Sequence, residues 1–169
     1  MKVAILSDTH GLLRPDVMAQ LQSAGAILHG GDINKPDIVN TLKAIAPLYV
    51  VRGNNDKEWA EKIPLTLTVT LEGVTFYLVH KKADVPKDLT GVDVVVFGHS
   101  HKLSMEEKDG VLWLNSGSCG PRRFHQPITM MMADVTAGKI HIEPITIPHE
   151  ADKTTRPFSV LPDERKKEI

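Results

Sequence analysis

The sequence predicts an α/β fold in which two mixed sheets pack face to face with helices outside, an α/β/β/α sandwich. Three observations predict it. The first half repeats a short apolar run, a polar strand end and an amphipathic segment. From Pro64 onward the apolar period changes to two residues. Glycine-containing pairs then punctuate the second half at hairpin spacing.

Val3 to Leu6 is a continuous apolar run, the pattern of a strand buried on both faces. Arg14 to Ala24 follows as a helix, with Val17, Met18 and Leu21 on one stripe, Pro15 in the first turn and Gly25 at the stop. Ala26 to His29 is the next short strand, opening into Gly30-Gly31-Asp32. Pro36 to Ala46 reads as a second helix with Ile38, Val39, Leu42, Ile45 and Ala46 on its apolar face. Leu48 to Val51 is a third strand ending in Arg52-Gly53-Asn54-Asn55-Asp56. Three strand-to-helix units in succession describe a parallel sheet with polar residues along one edge.

Beyond Pro64, threonines 66, 68 and 70 alternate with Leu65, Leu67, Val69 and Leu71, a strand with one wet face. Glu72-Gly73 turns it into Val74 to His80, and Asp93 leads a buried strand into His99-Ser100-His101. Two hairpins close the pattern: Leu103 to Lys108 with Val111 to Asn115 about Asp109-Gly110, and Pro127 to Val135 with Lys139 to Ile147 about Ala137-Gly138. One domain is expected over 1–147. The polar segment 148–169 loses the alternation and is expected to be a flexible tail.

At 169 residues the chain buries roughly 70% of its unfolded surface as one domain and needs no covalent staple. Its one cysteine, Cys119, excludes an internal disulfide. With no signal-peptide pattern ahead of the first strand, a cytoplasmic location is expected. No apolar run approaches the ~20 residues that cross a bilayer, so no membrane partner is expected. A net charge of -1 with mixed signs, and only 5% aromatic residues, give no strong nucleic-acid signal either. Homo-oligomerisation is left open.

The informative residues are polar groups at the ends of the apolar runs: Asp8, His10, Asp32, Asn54, His80, His99 and His101. Asp8 and His10 lie two apart, so an extended chain points both to one side, about 7 Å apart at the backbone. His99 and His101 repeat that spacing. Oxygen and imidazole donors without a thiolate suit manganese, iron, zinc or nickel rather than calcium or a cysteine site. Two divalent cations against two carboxylates leave a positive site, and a positive site draws phosphate.

In order, Asp8-x-His10, Gly31-Asp32, Gly53-Asn54-x-Asp56, His80, Gly98-His99-Ser100-His101 and Asn115-x-Gly117-Ser118 resemble the calcineurin-like metallophosphoesterases. The resemblance is nearest to their small single-domain branch, the YfcE/MJ0936-type phosphodiesterases, and runs from Met1 to about Ile147. It implies a dinuclear centre of two divalent ions, manganese first, with zinc, iron or nickel as alternatives. Asp8, His10, Asp32 and His101 would hold one ion, and Asp32, Asn54, His80 and His99 the other, with Asp32 bridging. It further implies hydrolysis of a P–O bond by a hydroxide that the two ions share, with a small phosphodiester as substrate. The same resemblance admits a Vps29-like protein-binding scaffold, or a nuclease, as alternatives.

Three positions depart from the family pattern. Asn55 stands where many relatives have a histidine beside the departing oxygen; an amide donates a hydrogen bond but no proton, so poor leaving groups should be slow. A substrate or transition-state contact is assigned to it. Lys81-Lys82 replaces the usual glycine after His80, and Ser116 the usual proline after Asn115. His29 and Asp56 are expected to support the ligands from behind. Asn115 to Gly117 is read as a turn supporting the site, and Arg122 and Arg123, beside Pro121 in a loop, as either phosphate contacts or structural residues, while His125, His141, His149 and Cys119 receive no role in it.

Overall fold

The computed structural model describes residues 1–123 and 125–149. In chain order the strands are β1 (Lys2–Leu6), β2 (Ala26–His29), β3 (Leu48–Val50), β4 (Thr66–Leu71) and β5 (Val74–Val79). There follow β6 (Val94–Phe97), β7 (Leu103–Lys108), β8 (Val111–Ser116), β9 (Ile128–Thr136) and β10 (Lys139–Ile147). Two helices, α1 (Pro15–Leu21) and α2 (Pro36–Ile45), both start on a proline, whose fixed φ suits a first turn. Apart from Pro148 and His149, the expected tail lies outside the described residues.

Two five-stranded mixed sheets form, in the orders β10-β9-β1-β2-β3 and β4-β5-β6-β8-β7. In the first, β1, β2 and β3 run parallel; in the second, β5, β6 and β8 do. Alternation along β1 explains its unbroken apolar run. Val3 and Ile5 pack against the second sheet through Phe76, Leu78, Val94, Val96 and Leu114. Ala4 and Leu6 face the other way, towards Val17 and Leu21 of α1 and Leu42 of α2. Each such fully buried Leu, Ile or Phe contributes roughly 1.5–3 kcal/mol, so the two clusters fix which face of β1 looks where.

The second sheet's outer face is covered more thinly. Val95, Phe97 and Val111 pack beneath Val85, Leu89, Val92 and Trp113, with one 3-10 turn at Lys82–Asp84.

Sequence and structure differ in two places. Only two of the three strand-to-helix units contain an α-helix; β3 leads instead to a 3-10 turn at Glu58–Ala60 and then crosses to the second sheet. Asp56 is tied back to the Asp32 loop and Pro64 ends any helix ahead of β4, so the segment between them forms a single 3-10 turn. Helix α1 also ends at Leu21, where its apolar stripe ends, and tighter i to i−3 bonds at Gln22 and Ala24 return the chain to β2.

The three hairpin turns have positive φ at both central residues: Glu72-Gly73 (48° and 83°), Asp109-Gly110 (53° and 79°) and Ala137-Gly138 (50° and 80°). That geometry matches the twist of the paired strands. All three lie at the edge where β1, β5, β6 and β8 begin. The opposite edge, where β1, β2, β3, β5 and β6 end, carries the candidate residues.

Candidate metal centre

Two three-donor clusters form at that edge: Asp8, His10 and His101; and Asp32, His80 and His99. Within each, the donor atoms lie within 4.8 Å of one another. Asp8 Oδ1 is 3.6 Å from His10 Nε2 and 3.4 Å from His101 Nε2. His10 and His101 face each other with Nε2 atoms 3.3 Å apart. Asp32 Oδ2 lies 3.2 Å from His80 Nε2 and 3.7 Å from His10 Nε2, so it sits between the clusters. Asn54 is exposed on the loop after β3 and lines a cavity together with His80.

Backbone geometry aims these donors. Five of them have left-handed φ without being glycine: Asp8 (55°), His10 (44°), Asp32 (60°), His99 (76°) and His101 (63°). Such residues cost of order 1–3 kcal/mol each, and concentration of that strain at one edge marks a functional site. Close approach does the rest. A Cβ on Gly53 would run into the Asp32 carboxylate, and one on Gly98 into Ser7 Oγ and the carboxylate of Asp8.

A layer of hydrogen bonds behind the donors holds them. The Asp56 carboxylate accepts four backbone N–H groups, from Asp32 (3.0 Å), Ile33 (2.9 Å), Asn34 (2.8 Å) and Gly53 (2.9 Å), and so shapes the Asp32 loop. His29 is fully buried, accepts the Gly31 N–H at Nδ1 (3.0 Å) and therefore donates from Nε2 to Thr9 Oγ1 (3.0 Å). Burial pushes its pKa down to about 4, so the ring is neutral. Asn115 donates to the Gly98 carbonyl (3.2 Å) and Ser100 Oγ (3.1 Å) and accepts from the Gly117 N–H (2.9 Å), pinning the His99 loop. Asn55 donates its backbone N–H to Asp32 Oδ1 (2.9 Å) and its side-chain amide to Asp32 Oδ2 (3.1 Å). The role given to it from sequence was a substrate contact; the contact it makes here is with Asp32.

Sequence reasoning missed Ser7, Thr9 and Ser118. Ser7 Oγ donates to Asp8 Oδ2 (2.8 Å), which also accepts the His99 N–H (3.1 Å), and Ser118 Oγ donates to the Asp8 carbonyl (2.9 Å). Strand alternation gives no guide there: Asp8 and His10 have left-handed φ beyond the end of β1, so the extended-chain spacing expected from sequence does not hold, and Ser7 turns its hydroxyl to the neighbouring Asp8. Of the two loop arginines, Arg122 contacts His149 Nδ1 (3.2 Å) and donates to the His125 carbonyl (3.3 Å).

The electrostatics fit cations. Burial alone would raise the pKa of Asp8, but His10, His101, His80 and Ser7 outweigh it and hold the carboxyl well below the usual range. Asp32 is likewise lowered against its burial by His80 and the Asn55 N–H. His80 moves the other way: burial disfavours its charge, yet Asp32 and Asp8 hold its pKa above the usual histidine value. Its Nδ1–H donates to the Gly30 carbonyl at 2.8 Å, leaving Nε2 to face the carboxylates. Asp8 Oδ1 and His80 Nε2 are buried without a hydrogen-bond partner. Two buried carboxylates, one of them with an unpaired oxygen, an unpaired imidazole nitrogen of His80 facing them, and no lysine or arginine ion-paired to either carboxylate among the described residues suit divalent metal.

Residues 1–138 match the family model of the calcineurin-like phosphoesterase superfamily domain. The chain belongs to that superfamily. It is 28% identical over 149 residues to a probable metallophosphoesterase of Methanothermobacter thermautotrophicus, covering 78% of this chain and 85% of the relative. To phosphodiesterase MJ0936 of Methanocaldococcus jannaschii it is 28% identical over 141 residues, 70% of this chain and 84% of that protein. Among solved structures, zinc-complexed Vps29 from Entamoeba histolytica superposes with a TM-score of 0.67 at 21% identity, covering 86% of this chain and 99% of Vps29. That likeness shows the shared α/β fold of two mixed sheets. Calcineurin-like phosphoesterases use divalent metals, and the two donor clusters are where this chain could hold them.

Proposed function

We propose that this chain is a metal-dependent phosphodiesterase acting on small diesters. The observation that carries the reading is the pair of donor clusters joined at Asp32, with buried acceptors left unpaired between them. In it, Asp8, His10, Asp32 and His101 would hold one ion and Asp32, Asn54, His80 and His99 the other. Bound divalent ions would supply Lewis-acid polarisation of the phosphoryl oxygens and a nucleophile available near neutral pH.

The chain's own contribution is positional. Asp56 fixes the loop that presents Asp32, Asn55 holds both oxygens of that carboxylate, and Asn115 sets the His99 loop. Asn55 has no proton to give the departing oxygen, so acidic leaving groups are favoured. Aryl diesters should be turned over well and alkyl monoesters poorly. Manganese is the proposed metal. A cytoplasmic setting goes with the one cysteine, buried and with its thiol pushed up to about 12 by burial. Among the described residues no helix is long and apolar enough to cross a membrane.

The test is hydrolysis of bis-p-nitrophenyl phosphate with added manganese. The reading expects metal-dependent turnover that falls more than about 100-fold in Asp32→Ala and in His99→Ala, beyond what losing an outer partner costs. It also expects activity to drop as pH falls through the histidine range, since protonated imidazoles release metal. A protein without metal-dependent turnover would favour a scaffold of the kind the Vps29 fold serves.

A further inference from the structure

Beside the donor clusters a cavity of about 350 Å3 opens between the loop after β3 and the end of β5, lined among others by Arg52, Asn54, Leu65, His80, Lys81 and Asp84. His80 and Asn54 belong to both the cavity and the proposed metal centre. A phosphate held at that centre would therefore direct one of its ester arms into this space. The walls carry unused chemistry. Leu65 is an apolar side chain left 60% exposed. Neither Arg52 nor Lys81 is ion-paired among the described residues. The neighbouring Lys82 shows the contrast: it pairs with Glu106 at 2.8 Å and lies 5.8 Å over the Trp113 ring, so its charge is spent away from the cavity.

The lining carries two cations, Arg52 and Lys81, against the single carboxylate of Asp84, together with the apolar Leu65 and Val79, which gives the wall a positive balance. We propose that this cavity binds one ester arm of the diester and that Arg52 and Lys81 select an arm bearing its own negative charge on a short apolar stem. Leu65 contacts the stem, and the cations take the anionic end. Asp84 disfavours arms whose charge is placed too near the loop that carries it. The proposal rests on the phosphodiesterase reading but concerns a different set of side chains.

The test separates the two. Three methylphosphonate monoesters, with 2-carboxyethyl, propyl and choline arms, are titrated calorimetrically into the manganese-loaded protein. They share the phosphonate anion and a two-carbon stem and differ in the terminal group, which is anionic, neutral or cationic. The carboxyethyl ester should bind about 10-fold tighter than the propyl ester, as expected of hydrogen bonds to a charged group, and the choline ester weakest. Added salt should shrink the difference. Arg52→Ala and Lys81→Ala should each reduce the preference several-fold, and Leu65→Asp, which adds a carboxylate to an exposed position, should abolish it. Equal affinity for the three arms, or a preference that survives the Arg52→Ala/Lys81→Ala double variant, overturns the proposal. Turnover of the aryl diester is scored separately: hydrolysis without arm selection sinks only this inference, and arm selection without hydrolysis sinks only the phosphodiesterase reading.

Discussion

The two ends of the sandwich use the same unusual backbone conformation for opposite purposes. At the hairpin end, Glu72, Asp109 and Ala137 adopt positive φ, and each is followed by glycine at a two-residue turn. At the strand-exit end, Asp8, His10, Asp32, His99 and His101 adopt it. There the strain closes no hairpin and instead turns donor atoms towards one another. The hairpin strain serves topology and is cheap, because the turn type demands it and glycine takes half of it. The exit strain is held in place by Asp56, His29, Asn115 and Ser118. Strained residues that carry chemistry and have a hydrogen-bonded backing are therefore the better sign of a site.

Four measurements probe that comparison. The largest effect should come from Asp56→Ala, which takes the acceptor from four backbone N–H groups. At about 1 kcal/mol for each buried N–H left unpaired, chemical denaturation should show a loss of about 4 kcal/mol. Manganese affinity should fall about 10–100-fold as well. An unchanged affinity would mean that the loop holds its shape without Asp56.

His29 comes next. Its pKa lies near 4 in the fold against 6.5 unfolded, so unfolding takes up a proton between those values. Its contribution is complete above pH 6.5 and is lost as pH falls towards 4, amounting to about 3 kcal/mol. Denaturation of the metal-free protein at pH 7.5 and 4.5 should show a smaller acid loss in His29→Gln than in wild type. Parallel losses would move the acid sensitivity elsewhere.

Glycine-to-alanine exchanges compare the two ends directly. Gly53→Ala forces a methyl against the Asp32 carboxylate, so it should cost about 1–3 kcal/mol and weaken manganese binding, measured by titration. Gly110→Ala meets no atom within 4 Å and pays only for its φ of 79°, about 1–2 kcal/mol, with metal binding untouched. If the two variants bind manganese alike, the exit edge is less tightly built than its geometry indicates.

Much of this was readable from residues alone. The apolar run of β1, the proline-started helices and the three X-Gly turns each follow from local chemistry, and strand edges were foreseen within about two residues. The donors were readable because Asp-x-His and His-x-His stand at the ends of buried runs. Less legible was the backing. A supporting role for Asp56 could be expected from sequence, but not that its carboxylate gathers N–H groups from a loop more than twenty residues earlier in the chain. Asn55 resembled a substrate contact, and only the fold turned its amide onto Asp32. The missing third helix was equally hidden, since the pull of Pro64 and β4 into the second sheet is a tertiary effect.

The sequence by itself determined which residues could ligate and which runs could be buried, because donor chemistry, φ preference and hydrophobic period are local properties. Tertiary structure alone decided that β5 and β6 end beside β1 and β2, that Asp32 falls between two clusters, and that Lys81 lines the cavity while Lys82 turns to Glu106. Those outcomes depend on packing one sheet against the other, which no short window of the chain encodes.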